Sequence, residues 1–504
     1  MFENQPKGLY ALALANTGER FGYYTMLAVF ALFLRANFGL SAGMAGSIYS
    51  AFLMLVYFLP LVGGVLADKI GYGKCVTFGV VIMFLGYLFL SVPLGGGTLA
   101  LGCMLAALVL ISFGTGLFKG NLQVMVGNLY DDPRYQSQRD SGFSVFYMAI
   151  NIGALFAPTM AVKIMDWAQK SLGYSENDSY HFAFMVACAS LILSIAIYYA
   201  FRSTFRQVEV GKKAATAEAQ PVEEISPAET RERIVALCLV FAVVIFFWMA
   251  FHQNGLSLTY FADEFVQPQA TGVTGMAFDV TNLVAIVFIV YSSFAFFQSK
   301  SGQGKVISAI VFVIAAAMIG YNYSESNEVV AVSAPIFQQF NPFYVVALTP
   351  VSMGIFSWLA KKGKEPSAPR KIAYGMLVAG IAYGLMILAS LGLNTPEAQA
   401  AAGATKTYTS AWWLIGTYLI LTFGELLLSP MGISFVSKVA PPKYKGTMMG
   451  GWFVATAIGN QLVMVGGLLW GGFQLWMVWS VFILLCVLSA LFMFCIMKKL
   501  EKVC

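Results

Sequence analysis

Charge is what this chain has least of. Only 11% of its 504 residues are Asp, Glu, Lys or Arg, where a soluble protein carries roughly a quarter. Histidine is nearly absent, with two copies. Seven cysteines (Cys75, Cys103, Cys188, Cys238, Cys486, Cys495 and Cys504) are scattered without paired spacing, so they are expected to pack rather than to form disulfides or bind metal. There is no HExxH, no GxSxG, no phosphate-binding loop and no Cys–His set at ligand spacing, which argues against an enzyme. A polar insert too short for a sensor domain argues against a receptor. No cofactor and no nucleic-acid partner are expected. The opening MFENQPKGLY lacks the parts of a cleaved signal peptide, so the first helix is expected to stay.

What is present is apolar: 59% of the residues are hydrophobic, with 42 Phe and 24 Met. Runs of about 20 such residues recur throughout, the length a helix needs to cross a bilayer. The chain reads as an all-α polytopic membrane protein whose main partner is the lipid bilayer. Fourteen spans are expected, at 8–35, 41–67, 75–93, 98–127, 141–166, 181–201, 233–262, 276–298, 304–322, 335–360, 371–393, 411–437, 446–470 and 472–497. Alternate connections are basic, among them DKIGYGK (68–74), QSKSGQGK (298–305), KKGKEPSAPRK (361–371) and the tail MKKLEK (497–502). The loops between them, such as the long 391–410, are poor in Lys and Arg. By the positive-inside rule both termini are cytoplasmic. The compact loops suggest a prokaryotic inner membrane.

Residues 203–232 are polar and follow the sixth span. They divide the chain into an N-terminal six-helix bundle (1–202), a cytoplasmic linker (203–232) and a C-terminal bundle (233–504) containing an extra helix pair at about 276–322. The stretch GGVLADKIGYGK (63–74) resembles the loop signature of the major facilitator superfamily, in which Asp68 and a nearby basic residue would lock the cytoplasmic side.

A charge at the bilayer centre costs about 2.5–3.5 kcal/mol, so each one implies a partner or an aqueous cavity. The interior candidates are Glu19 and Arg20 in the first span, Lys119 in the fourth, His252 in the seventh and Glu425 in the twelfth. Neighbours on a helix point about 100° apart, so Glu19 and Arg20 are not expected to face one partner. Lys119 sits in FGTGLFKGN with no acid in its own turn, where glycines allow a helix or a ligand to come close. Glu425 lies one turn before Pro430, which offers a hinge. Two cations from the first half and one anion from the second suit a zwitterion with separated ends, such as a short peptide.

These residues also carry a family resemblance. ERFGYY (19–24), YFLPLVGGVLAD (57–68), GTGLFKGN (114–121), FYMAINIGALFAP (146–158), FFWMAFHQNGLSLT (246–259), QQFNP (338–342), ELLLSPMG (425–432) and MMGGWF (448–453) occur in the order found in proton-coupled oligopeptide transporters. The chain resembles that family over most of its length. The resemblance implies a major facilitator fold of two six-helix bundles plus two helices, alternating access, and import of di- and tripeptides with the proton as possible coupling ion. It implies that Arg20 and Lys119 hold the peptide carboxylate, and that Glu425, Asn151 and Asn341 hold the amino terminus. Tyr23, Tyr24, Tyr57 and Trp452 would line the pocket, and the protein would function as a monomer.

Two positions depart from the family pattern. Its first acid is Asn16 here, and the acid of its seventh core helix is His252. Asn16 cannot titrate. His252 can, but it passes from neutral to cationic where Glu passes from anionic to neutral, and a cationic His252 would be disfavoured near Arg20 and Lys119. Without His252 the interior charges balance. Coupling through Glu19 and His252, weak coupling, a facilitator, and a transporter of another small organic solute or anion all stay open. The second histidine, His181, is expected only to pack or to contact a loop.

Overall fold

The structure is a computed structural model that describes residues 5–209 and 225–503. Residues 210–224 of the expected linker, and Cys504, lie outside the described residues. All fourteen expected spans are present as helices long and apolar enough to cross a membrane.

The first six spans are α1 (Lys7–Phe38), α2 (Ala42–Ile70), α3 (Tyr72–Ser91), α4 (Thr98–Leu129), α5 (Arg139–Leu172) and α6 (Glu176–Ala200). Sequence sets their ends. Ser41 and Ser175 cap the starts of α2 and α6 by accepting from amides three residues on, and α1 and α5 end on left-handed Gly39 and Gly173. The seventh span is not one helix. It comprises α7 (Pro227–Phe251), a 3₁₀ turn over His252–Gly255, and α8 (Ser257–Phe265). A short helix α9 (Gly272–Ala277) leads to α10 (Val280–Gln298) and α11 (Gly302–Ser324), the expected additional pair. Then come α12 (Phe340–Lys361), α13 (Ala368–Ala389), the loop helix α14 (Pro396–Ala401) and α15 (Ala411–Val439). The thirteenth span is also broken, into α16 (Lys445–Leu462) and α17 (Met464–Leu468), and α18 (Leu475–Lys502) completes the set. Two-residue strands β1 (Gln269–Ala270) and β2 (Val330–Ala331) pair antiparallel.

The chain forms two compact units. One contains residues up to Leu256 together with Ile433–Leu468 and the chain's end from Ile496; the other contains Ser257–Gly432 and Leu469–Cys495. The described residues on both sides of 203–232 belong to the first unit, because α7 packs on α16 there.

In the first unit α1 is the central helix, buried along most of its length against α5 and α6. Glycines set how closely α4 approaches its neighbours. A Cβ on Gly63 would run into the Gly116 carbonyl, and one on Gly114 would lie 2.6 Å from the Gly79 carbonyl. The glycines flanking Lys119 thus admit α2 and α3. The turn between α2 and α3 is held from an unexpected side. Gly71 takes φ +96°, the Gly73 amide donates to the Glu209 carbonyl at 3.1 Å, and Arg202 grips the Glu209 carboxylate at 2.8 and 2.9 Å. Asp68, the residue expected to lock this side, is exposed and accepts only a long 3.4 Å bond from Tyr72 among the described residues.

The second unit packs around Trp479, which is fully buried, lies about 6 Å from the rings of Phe261, Tyr383 and Trp470, and donates to Ser390 Oγ at 2.9 Å. The polar loop 391–410 is folded onto this unit. Gln399 Nε2 donates to the Glu264 and Thr407 carbonyls at 2.7 and 2.8 Å, while its Oε1 accepts from the Thr407 amide at 3.0 Å.

Candidate functional site

The expected site residues fall into two groups, one in each unit.

In the first unit, Glu19 and Arg20 are buried on α1 and paired with each other: Arg20 Nε lies 2.5 Å from Glu19 Oε2, and Nη2 lies 2.6 Å from Oε1. This corrects the expectation from helix geometry. The Cα–Cβ vectors do diverge, but the guanidinium is long enough to fold back and form a fork. Arg20 also lies 4.4 Å from the centre of the Tyr23 ring, which meets Tyr24 edge-on at 5.2 Å. Lys119 makes no ion pair among the described residues; its ammonium sits 4.2 Å over the Tyr57 ring, within the field of Arg20 and Glu19. Of the two cations, Arg20 is neutralised at contact distance and Lys119 is not.

His252 opens the 3₁₀ turn that interrupts the seventh span. Its Nδ1 lies 2.5 Å from Asn460 Oδ1, so Nδ1 carries the proton it donates and Nε2 is left as the acceptor. The imidazole stacks on Trp248 at 5.1 Å, and its centre is 6.0 Å from that of Tyr57. Tyr57 therefore contacts both Lys119 and His252. Gln253 secures the two helix breaks: its Nε2 donates to the Met249 carbonyl at 3.2 Å and to the Val463 carbonyl at 2.9 Å. A side chain on Gly466 would displace it. Breaks in transmembrane helices persist where such donors satisfy the freed carbonyls.

In the second unit, Asn341 on α12 donates to Glu425 Oε2 at 2.9 Å and to Thr422 Oγ1 at 3.0 Å. The expected pair is thus in direct contact. Helix α15 continues through Pro430, the expected hinge, while the helix interruptions lie at His252 and Val463. Asn151 belongs to the first unit, where its amide donates to the Tyr147 carbonyl of its own helix at 3.0 Å. Trp452 is buried, with Phe241 edge-on at 6.5 Å, and Asn16 is buried on α1. His181 does what was expected of it, contacting the Leu90 carbonyl through Nδ1 at 2.6 Å.

Sequence reasoning passed over Asn460, Gln253 and Trp248. The available signal was polarity: an Asn beside Gly459 in an otherwise apolar span is costly unless it has a partner.

A family model described as the POT family matches residues 74–226 and 322–466. The chain is 28% identical over 492 residues to a di-/tripeptide transporter of Lactococcus lactis subsp. lactis, covering 92% of this chain and 89% of that one. It is 27% identical over 476 residues to dipeptide and tripeptide permease B of Salmonella typhimurium, covering 90% and 84%. Among solved structures, a peptide transporter POT in complex with sulfate superposes with a TM-score of 0.74 at 24% identity, over 100% of this chain and 96% of that chain, which shows the same major facilitator fold.

Proposed function

The chain belongs to the POT family, and on that premise we propose that it imports di- and tripeptides by alternating access, driven by protons. The observation that carries the reading is the placement of opposite charges: Lys119, an ammonium without an ion pair among the described residues, in one unit, and a carboxylate held by an amide, Glu425 with Asn341, in the other. Lys119 and Arg20 take the peptide carboxylate, and Glu425, Asn341 and Asn151 take the amino terminus. Tyr23, Tyr24, Tyr57 and Trp452 give an aromatic wall that tolerates varied side chains. The bodies that rock are residues 1–202 and 233–504, joined by 203–232, in a monomer of the prokaryotic inner membrane with both termini cytoplasmic.

Glu19 and His252 are the proposed coupling groups. A proton on Glu19 would open the fork and free Arg20 for the substrate. His252, with Nε2 as acceptor, would take a proton where the family has an acid. A second reading, a peptide facilitator, is favoured by one observation: with Glu19 and Arg20 closed on each other, Lys119 and Glu425 balance without any proton.

Dialanine uptake into proteoliposomes, with and without an inward proton gradient, separates the readings. Accumulation above the external concentration only with the gradient is the expected result. Equilibration without accumulation would establish the facilitator. Absence of uptake by folded protein would mean a different cargo.

A further inference from the structure

We propose that the second unit holds an anionic phospholipid, its phosphate at the turn joining α12 to α13 and its acyl chains along the lipid-facing sides of α10 and α12. This inference does not rest on the peptide reading.

The turn concentrates positive charge. Lys361, Lys362, Lys364 and Arg370 are exposed within ten residues of sequence. The one acid among them, Glu365, is taken at 2.5 Å by Lys371, which is itself buried. The Lys364 amide donates back to the Leu359 carbonyl at 2.9 Å around left-handed Gly363, so the three lysines stay on a tight helix end. The Lys362 ammonium sits 3.8 Å from the centre of the Trp358 ring, which is 55% exposed, as interfacial tryptophans are.

The added helix pair brings more of the same. Tyr291 donates to the Val346 carbonyl at 3.2 Å, and a Cβ on Gly354 would lie 3.5 Å from Phe294. These contacts advance together along α10 and α12, so the α10–α11 turn lies at the same end as Lys361. That turn carries exposed Lys300 and Lys305, and residues 298–305 contain no acid. None of the five lysines forms an ion pair among the described residues. Helix α11 buries only Ser308 and Ala315, and Phe297 at the end of α10 is 83% exposed. Six cations around exposed aromatic and aliphatic surface fit a phosphate with attached chains, and each lysine near such a surface adds about 1 kcal/mol.

The test is native mass spectrometry of the purified full chain offered equal phosphatidylglycerol and phosphatidylcholine. Retention of phosphatidylglycerol over phosphatidylcholine is expected, falling about fivefold for each of Lys300, Lys305, Lys361, Lys362 and Lys364 changed to Gln. Changing Lys498 and Lys499 to Gln should leave the preference unchanged. No preference in the parent chain, or one that survives all five substitutions, overturns the proposal. So does displacement of the lipid by inorganic phosphate, which would indicate a free-anion site. An unchanged melting temperature of the variants in phosphatidylcholine keeps misfolding from imitating the loss.

Discussion

The two cations expected to act together are not equivalent as residues. Arg20 already has its carboxylate in Glu19 at contact distance, whereas Lys119 forms no ion pair among the described residues and lies over the face of Tyr57. Removing Lys119 should therefore cost more than its charge count suggests. Lys119→Ala is expected to abolish dialanine uptake while the protein stays folded in the membrane; full uptake would eliminate it from the site. Glu425→Gln keeps the hydrogen bond to Asn341 and loses the charge. It should lower apparent affinity for free dipeptides by about tenfold to a hundredfold, the worth of a charge-assisted bond, and leave N-acetylated dipeptides nearly unaffected. Equal losses for both would argue against an amino-terminal contact. Much of this was legible: charges in apolar spans identify themselves, so Lys119, His252 and Glu425 stood out. The Glu19–Arg20 fork did not, because helix geometry fixes Cβ directions and says little about where a four-bond side chain ends.

At the scale of the element, the fourteen spans were legible because length and apolarity decide them, but their interruptions were not. The broken seventh and thirteenth spans depend on Gln253 reaching the Val463 carbonyl 210 residues away, a tertiary bond that no local pattern encodes. Pro430 marks a hinge position inside α15, which stays one helix, and so gave no pointer to the spans that are interrupted. Gln253→Leu should remove the amide donor shared by the Met249 and Val463 carbonyls, the second of which keeps its bond from the Gly466 amide, and cost about 1–3 kcal/mol, read as a lowered melting temperature in detergent. Unchanged melting would mean the breaks hold without it. Gly63→Ala tests the α2–α4 contact from the opposite direction: the added methyl meets backbone, not a flexible side chain, so a loss of about 1–3 kcal/mol is expected.

For the whole molecule, family membership and fold supply what no single contact does. An even number of spans puts both ends of the chain on one side, so tags at the two termini should be cleaved or protected together in sealed vesicles of known orientation. Opposite behaviour would mean a miscounted span. The charge-poor composition announced a membrane protein, and the loop charges gave the alternation. The compact units could not be read from sequence order, since α16 joins α7 and α2 through packing that crosses most of the chain.

The stacking of Trp248 on His252 has an optical consequence. An imidazolium in ring contact quenches indole emission and a neutral imidazole does so far less, so this pair is a built-in reporter of whether the histidine ever takes a proton. In a version of the chain retaining only this tryptophan, emission that dims on acidification and stays bright in His252→Asn would reveal the protonation step by light alone, before any peptide is added.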